Sequence, residues 1–178
     1  MPGFVNAHTH LAMTLMRGIA DDLPLQKWLF DTIFPIENKL TERDVYFGSL
    51  LGIVESIRAG VTTVADFYFR MEKSAQAVKE SGIRANLGFG LASKIGTDTL
   101  KLKAAEKFIN KWQESENGRI LASFAPHAPY TCTLQFLKAI SNQARKMNVL
   151  VQTHLHETKE KVEEFKKKYV ITPIEKLD

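Results

Sequence analysis

Short apolar runs alternate along the chain with longer segments in which apolar residues recur every three or four positions. The runs Gly3–Ala7, Val61–Phe67, Arg84–Leu91, Ile120–Ala125 and Val149–Thr153 are rich in Val, Ile, Phe and Ala. Runs of that length and composition predict strands buried on both faces. The intervening segments have a helical period. Thr41 is positioned to cap a helix running to about Arg58, with Tyr46, Leu50, Ile53 and Ile57 on one stripe and Gly60 ending it. Met71–Ser81 predicts a second helix, closed by Gly82, and Leu100–Glu114 a third. Thr133 would cap a fourth, whose stripe is Leu134, Leu137, Ile140, Ala144 and Met147, and a fifth begins near Thr158. Leu25–Phe34 predicts an extra helix inside the loop that follows the first strand.

Repeated strand–helix alternation implies parallel strands joined by right-handed crossovers. The polar residues decide between an open sheet and a barrel. His8 and His10 follow strand one, Asp66 ends strand two, His127 follows strand four, and His154 and Glu157 follow strand five. In a barrel all of these would meet at the carboxyl-terminal rim, whereas an open sheet gathers residues around one switch point. The expected fold is therefore α/β, an incomplete (β/α)8 TIM barrel of about five βα units spanning residues 1–178. A closed barrel typically needs about 250 residues. Strands one and five would be open edges, through which self-association is expected.

Composition narrows the function classes. The 178 residues suffice for one domain with a core, and 44% apolar against 25% charged residues speaks against disorder. The net charge of +4 comes from 24 basic and 20 acidic residues. Its densest run, Lys166-Lys167-Lys168, follows Glu163-Glu164 and reads as a solvated helix face. Without a basic stripe carrying aromatics, no nucleic-acid partner is expected. Cys132 is the single cysteine, which excludes a disulfide framework and suits a cytoplasmic location. No apolar stretch approaches the roughly 20 residues of a membrane span, so no membrane partner is expected, and no leader is expected ahead of His8.

Candidate chemistry begins at Asn6-Ala7-His8-Thr9-His10. Side chains at i and i+2 of a strand share a side, so two imidazoles placed this way can grip one metal ion and leave positions open for water. In Thr153-His154-Leu155-His156-Glu157-Thr158, His154 emerges from the end of an apolar run as a candidate third ligand. His156 shares its parity and is the competing assignment. Glu157 can reach the same cavity and exchange protons with water. In Phe124-Ala125-Pro126-His127-Ala128-Pro129-Tyr130 two prolines stiffen the loop around His127, which could hydrogen-bond substrate or hold an oxyanion. Cys132 reads as an ordinary small residue rather than a nucleophile. The chain has no phosphate-binding loop of the G-x-x-x-x-G-K type, no G-x-S-x-G elbow, and no P-C-x-x-C motif.

Together these motifs resemble the amidohydrolase superfamily, and within it the 5-methylthioadenosine/S-adenosylhomocysteine deaminases. The resemblance is carried by Pro2-Gly3-Phe4-Val5-Asn6-Ala7-His8-Thr9-His10, Met13-Thr14-Leu15-Met16-Arg17-Gly18, Asp21-Asp22-Leu23-Pro24-Leu25, Trp28-Leu29 and Pro35-Ile36-Glu37. It continues through Gly60-Val61-Thr62-Thr63 with Asp66, Pro126-His127-Ala128-Pro129-Tyr130, and His154 with Glu157. The resemblance implies that His8, His10 and His154 bind one divalent ion, zinc or else iron. It implies that Glu157 moves protons, that His127 lies over a small nucleoside substrate, that Glu37 binds the ribose hydroxyls, and that Trp28 shapes the pocket. The implied reaction is hydrolytic removal of an amino group from an adenosine-type nucleoside.

Such deaminases also draw a histidine from strand six, an aspartate from strand eight and a small β segment before strand one, none of which this sequence matches. The expectation is thus a partial catalytic barrel, inactive by itself. The rival readings are a guanine or cytosine deaminase, a chlorohydrolase, and a non-catalytic half-barrel used for binding or assembly.

Overall fold

A computed structural model describes residues 1–93 and 96–177. Four parallel strands, β1 (Phe4–Thr9), β2 (Val61–Tyr68), β3 (Arg84–Leu91) and β4 (Ile120–Pro126), form a sheet in the order β1-β2-β3-β4. This is the α/β, incomplete-barrel architecture that the strand–helix alternation predicts. The chain divides into two compact units. One comprises Met1–Leu87 and Glu114–Leu121, the other Gly88–Gln113 and the residues from Ala122 onward.

In the first unit β1 lies parallel to β2, pairing Phe4 with Val61, Val5 with Thr63, Asn6 with Val64 and Thr9 with Asp66. Between Asn6 and Thr9, three steps of β1 match two of β2, so one extra residue is accommodated beside His8. Such irregularities turn side chains out of the pleat. A 3-10 segment, Leu11–Met16, leaves β1 directly after His10.

The helix Glu42–Arg58 begins at a reciprocal cap. The Thr41 amide donates to Asp44 Oδ2 at 2.7 Å, and the Asp44 amide donates to Thr41 Oγ1 at 3.2 Å. Its buried face differs from the expected stripe. Val45, Gly48, Ser49, Gly52 and Ile53 are buried, whereas Ile57 is 49% exposed. The reason is backbone proximity: a Cβ on Gly48 would come within 2.6 Å of the Ala12 carbonyl oxygen, and one on Gly52 within 2.9 Å of that of Leu11. Small residues let the helix lie against the 3-10 segment, and they carry no hydrophobic period to read.

The helix Met71–Ser81 ends at Gly82 as its sequence predicts. It meets the Glu42–Arg58 helix through a buried hydrogen bond, 3.0 Å, between Ser49 and Ser74. The extra helix predicted over Leu25–Phe34 is composite: an α turn at Leu25–Lys27, a π turn at Trp28–Ile33, and a further α turn at Phe34–Glu37 containing Pro35. A proline nitrogen cannot donate to the helical ladder, and a π turn beside it is one way to absorb the missing bond.

In the second unit the helix Asp98–Trp112 places Phe108 against Phe89 of β3, with ring centroids 5.4 Å apart. Thr133 caps Leu134–Met147, its side chain accepting from the Phe136 amide. Thr158 likewise caps Lys159–Tyr169, accepting from the Lys161 amide, and Pro173–Leu177 follows.

The expected fifth strand, Val149–Thr153, is a correction: it forms one parallel bridge, Phe124 with Val151, and no ladder. The amide of Phe124 donates to Leu150 and the amide of Gln152 donates to Phe124. At the next position β4 offers Pro126, which has no N–H, and one step earlier the Ala122 amide is taken by the Gln113 side chain at 2.8 Å. Both continuations of the ladder are therefore closed.

Candidate active site

In the first unit the histidine pair lies at the end of β1. The rings of His8 and His10 are 4.9 Å apart, nearly perpendicular, and their ligating nitrogens lie within 4.8 Å of each other. His8 is exposed and His10 half-buried. His10 Nδ1 is 2.6 Å from the Phe67 carbonyl oxygen. A carbonyl only accepts, so Nδ1 carries the proton, and the neutral ring has its lone pair on Nε2. This is the arrangement in which a backbone carbonyl orients a metal-binding imidazole. The Phe67 ring also packs edge-on against both imidazoles, at 5.8 and 4.9 Å.

Beside Phe67, Asp66 is fully buried. Its Oδ1 accepts the Leu11 amide at 2.7 Å, and its Oδ2 has no partner among the described residues. Burial pushes its pKa up to about 7, and the Leu11 amide counteracts only part of that. The donor chemistry of His8 and His10 fits a borderline divalent ion such as zinc.

Glu37 ends the composite turn and is 7% exposed. It accepts a 2.6 Å hydrogen bond from the phenol of Tyr68, itself 5% exposed at the end of β2. Burial raises the pKa of Glu37, against the opposing effect of the Tyr68 bond. Burial and the neighbouring carboxylate push the Tyr68 phenol far above its usual range, so it remains a neutral donor. The Tyr68 ring lies 6.2 Å from that of His10. Trp28, half-buried, donates its indole N–H to the Ile19 carbonyl at 3.3 Å, which anchors the turn that carries Glu37.

In the second unit His127 follows β4 and is held by its amide to the Leu91 carbonyl at 2.8 Å and by Nδ1 to Thr131 Oγ1 at 2.8 Å. Burial lowers its pKa, which favours a neutral ring. His154 donates its backbone amide to the His127 carbonyl at 2.9 Å, and the two rings lie 5.1 Å apart. Glu157 is exposed and accepts a 2.6 Å bond from the Tyr130 phenol. Tyr130, His154 and Glu157 border a cleft of about 430 Å³ lined also by Lys161 and Phe165. His156 is exposed, with φ at +55°, a left-handed conformation that turns the chain between His154 and Glu157. Cys132 is buried with its thiol directed at the Leu91 carbonyl, and burial raises its pKa, as expected of an unreactive side chain.

Within one unit, then, the expected residues His8, His10 and Glu37 converge on the end of β2; within the other, His127, His154 and Glu157 surround one turn. Four supporting residues escape the sequence reading: Phe67, Tyr68, Tyr130 and Thr131. The Asp66-Phe67-Tyr68-Phe69 tetrad, polar then aromatic at a strand terminus, was the available signal for two of them.

The amidohydrolase family profile matches residues 1–178. The chain is 50% identical over 178 residues to a 5-methylthioadenosine/S-adenosylhomocysteine deaminase of Dictyoglomus turgidum, covering all of this chain and 42% of that protein. It is 46% identical over 175 residues to a 5'-deoxyadenosine deaminase of Methanocaldococcus jannaschii, covering 97% of this chain and 42% of that one. Among solved structures, a zinc-bound adenosine deaminase from Xanthomonas campestris superposes with a TM-score of 0.92 at 35% identity, covering the whole chain and 41% of that structure. The chain thus spans about two-fifths of the length of these relatives. A guanine deaminase from C. acetobutylicum, at TM-score 0.91 and 22% identity, shares the fold.

Proposed function

Because the chain belongs to the amidohydrolase family, we propose that residues 1–178 form the first four strands of the barrel, and the run that follows them, of a hydrolytic deaminase of adenosine-type nucleosides, 5'-methylthioadenosine or S-adenosylhomocysteine. The observation that carries the reading is identity of 50% with a deaminase of that name along the whole chain. The guanine and triazine alternatives rest on structural likeness at 22% identity or less, which speaks only to fold.

In this reading His8, His10 and His154 supply imidazole nitrogens to one divalent ion, zinc in the first instance. The bound ion would supply an acidified water at neutral pH. Every other task falls to side chains of the chain. Phe67 fixes the His10 tautomer through its carbonyl. Glu157, one oxygen held by Tyr130, takes one proton from water with the other and gives it to the ring nitrogen, then carries a second, from the newly added hydroxyl, to the departing amine. His127, kept neutral by burial, orients the purine. Glu37 accepts from the ribose hydroxyls, and Trp28 shapes the wall above them.

The test is a chimera in which these 178 residues replace the matching segment of the Dictyoglomus turgidum deaminase. Ammonia release from 5'-methylthioadenosine is expected, with loss of about a hundredfold or more in the Glu157→Gln version. A folded, zinc-loaded chimera inert towards every adenosine nucleoside would refute the reading.

A further inference from the structure

We infer that Tyr68 is the positioning residue that makes Glu37 a reader of the vicinal diol, so that ribonucleosides are selected over their 2',3'-dideoxy counterparts. The inference rests on the deaminase reading above and adds to it a residue and a specificity.

Glu37 and Tyr68 come from different elements, a turn ending at residue 37 and the last residue of β2, and both are more than nine-tenths buried. A buried carboxylate is normally matched by a basic side chain or by several donors. Among the described residues no basic side chain lies within ion-pair distance of Glu37, and its side-chain donor is Tyr68. A carboxylate has lone pairs for about four donors. One phenol leaves most of that capacity for a ligand, and two adjacent hydroxyls, which donate side by side, are the natural complement to the two oxygens of one carboxylate.

The phenol does two things for that ligand. It pins Oε1, so the carboxylate plane is set before the ligand arrives and little rotational freedom remains to be lost. It also stabilises the ionised form against burial, the opposing effect already noted at Glu37. Tyr68 keeps the proton it donates, because its surroundings hold the phenol protonated. Its ring near His10 and stacked on Phe69 at 4.1 Å fixes the direction of its O–H. The diol is therefore read by a carboxylate whose orientation is built into the end of β2. A site built to bond a hydroxyl discriminates strongly against a ligand lacking it, because its buried acceptor is then left unmatched.

The experiment is equilibrium binding of adenosine and of 2',3'-dideoxyadenosine to the zinc-loaded 178-residue chain, in the wild type, Tyr68→Phe and Glu37→Gln. The wild type is expected to prefer adenosine by about tenfold or more. Tyr68→Phe should lose most of that preference by weakening adenosine alone, with dideoxyadenosine affinity held within about twofold. Glu37→Gln, which keeps an acceptor for Tyr68, should abolish the preference. A preference that survives Tyr68→Phe, or equal weakening of both nucleosides, overturns the role of Tyr68 while leaving the deaminase reading standing. A wild-type chain that binds neither nucleoside overturns the role of Tyr68, while the deaminase reading stands or falls on the chimera.

Discussion

The Nδ1 atom of His10 donates to the carbonyl oxygen of Phe67 across 2.6 Å, so a residue of β2 decides which nitrogen of a β1 histidine carries a lone pair. The two strands are parallel neighbours, and the register irregularity between Asn6 and Thr9 lies at the point where the imidazoles emerge. The pairing of the first two strands thereby also orients the histidine pair. The same dipeptide, Asp66-Phe67, also holds the amide of Leu11 and packs on both rings.

Zinc binding follows from that preparation. His8→Ala and His154→Ala are each expected to weaken zinc binding at least tenfold, and His156→Ala to leave it unchanged within a factor of about two. Competition against a chromophoric chelator measures this directly. Equal affinity of the wild type and His8→Ala, or loss of zinc in His156→Ala alone, would contradict the ligand assignment.

Gly48→Ala tests how the Glu42–Arg58 helix supports the site. In an exposed helix interior this change stabilises by about 1 kcal/mol. Here the new methyl would meet the Ala12 carbonyl oxygen at 2.6 Å, so the sign should reverse, with roughly 1–3 kcal/mol lost. Urea denaturation of the two proteins decides it; stabilisation would show that the Leu11–Met16 segment yields freely.

That helix also shows where sequence reasoning stopped. Its limits were legible, since Thr41 and Gly60 mark its ends, but its buried face was not. Gly48, Ser49 and Gly52 are buried for their smallness, whereas Ile57, which fits an apolar stripe, faces outward. The fifth strand was legible as an apolar run, yet its ladder fails at Pro126 and at the Gln113-capped amide of Ala122, details of its partner rather than of itself. Among site residues, ligating and acidic types at strand ends stood out by their polarity. Tyr68, Tyr130 and Phe67 did not, because an aromatic residue at a strand end or in the turn beyond it looks like packing until its oxygen or carbonyl is seen to hold a functional group.

Asp66 gives the fold a defined pH response. Its carboxyl titrates near 3.8 in the unfolded chain and at about 7 when folded, because burial penalises the charge. Both states are protonated below about pH 4, where this group costs nothing. Between about pH 4 and pH 7 the folded state holds the extra proton, so stability falls as pH rises and levels off above about pH 8. The full difference corresponds to roughly 4 kcal/mol, an order-of-magnitude figure. Asp66→Asn, measured beside the wild type by chemical denaturation from pH 4 to pH 8 without metal, should lack this slope and gain relative stability at the alkaline end. Parallel curves would mean that Asp66 ionises freely in the folded protein.

The catalytic prediction turns on Glu157 and Tyr130. The phenol holds Oε2 at 2.6 Å, which leaves the other oxygen to exchange protons. In the chimera described above, Glu157→Gln removes that exchange and should lower kcat about a hundredfold or more, because glutamine keeps the bond to Tyr130 but cannot carry the proton. Tyr130→Phe removes only the orientation, and a loss of about tenfold in kcat with little change in KM is expected. Residues 1–178 assayed alone should release ammonia no faster than background. Glu157 is exposed to water there, which screens its charge and any transition state it would stabilise. The resemblance also assigns two further catalytic side chains to strands beyond the fifth. The measurement is ammonia release from 5'-methylthioadenosine and S-adenosylhomocysteine by the zinc-loaded chain, with Glu157→Gln as control. Turnover by the chain alone that disappears in that variant would mean that residues 1–178, or an assembly of their copies, complete the site from residues not recognised in it.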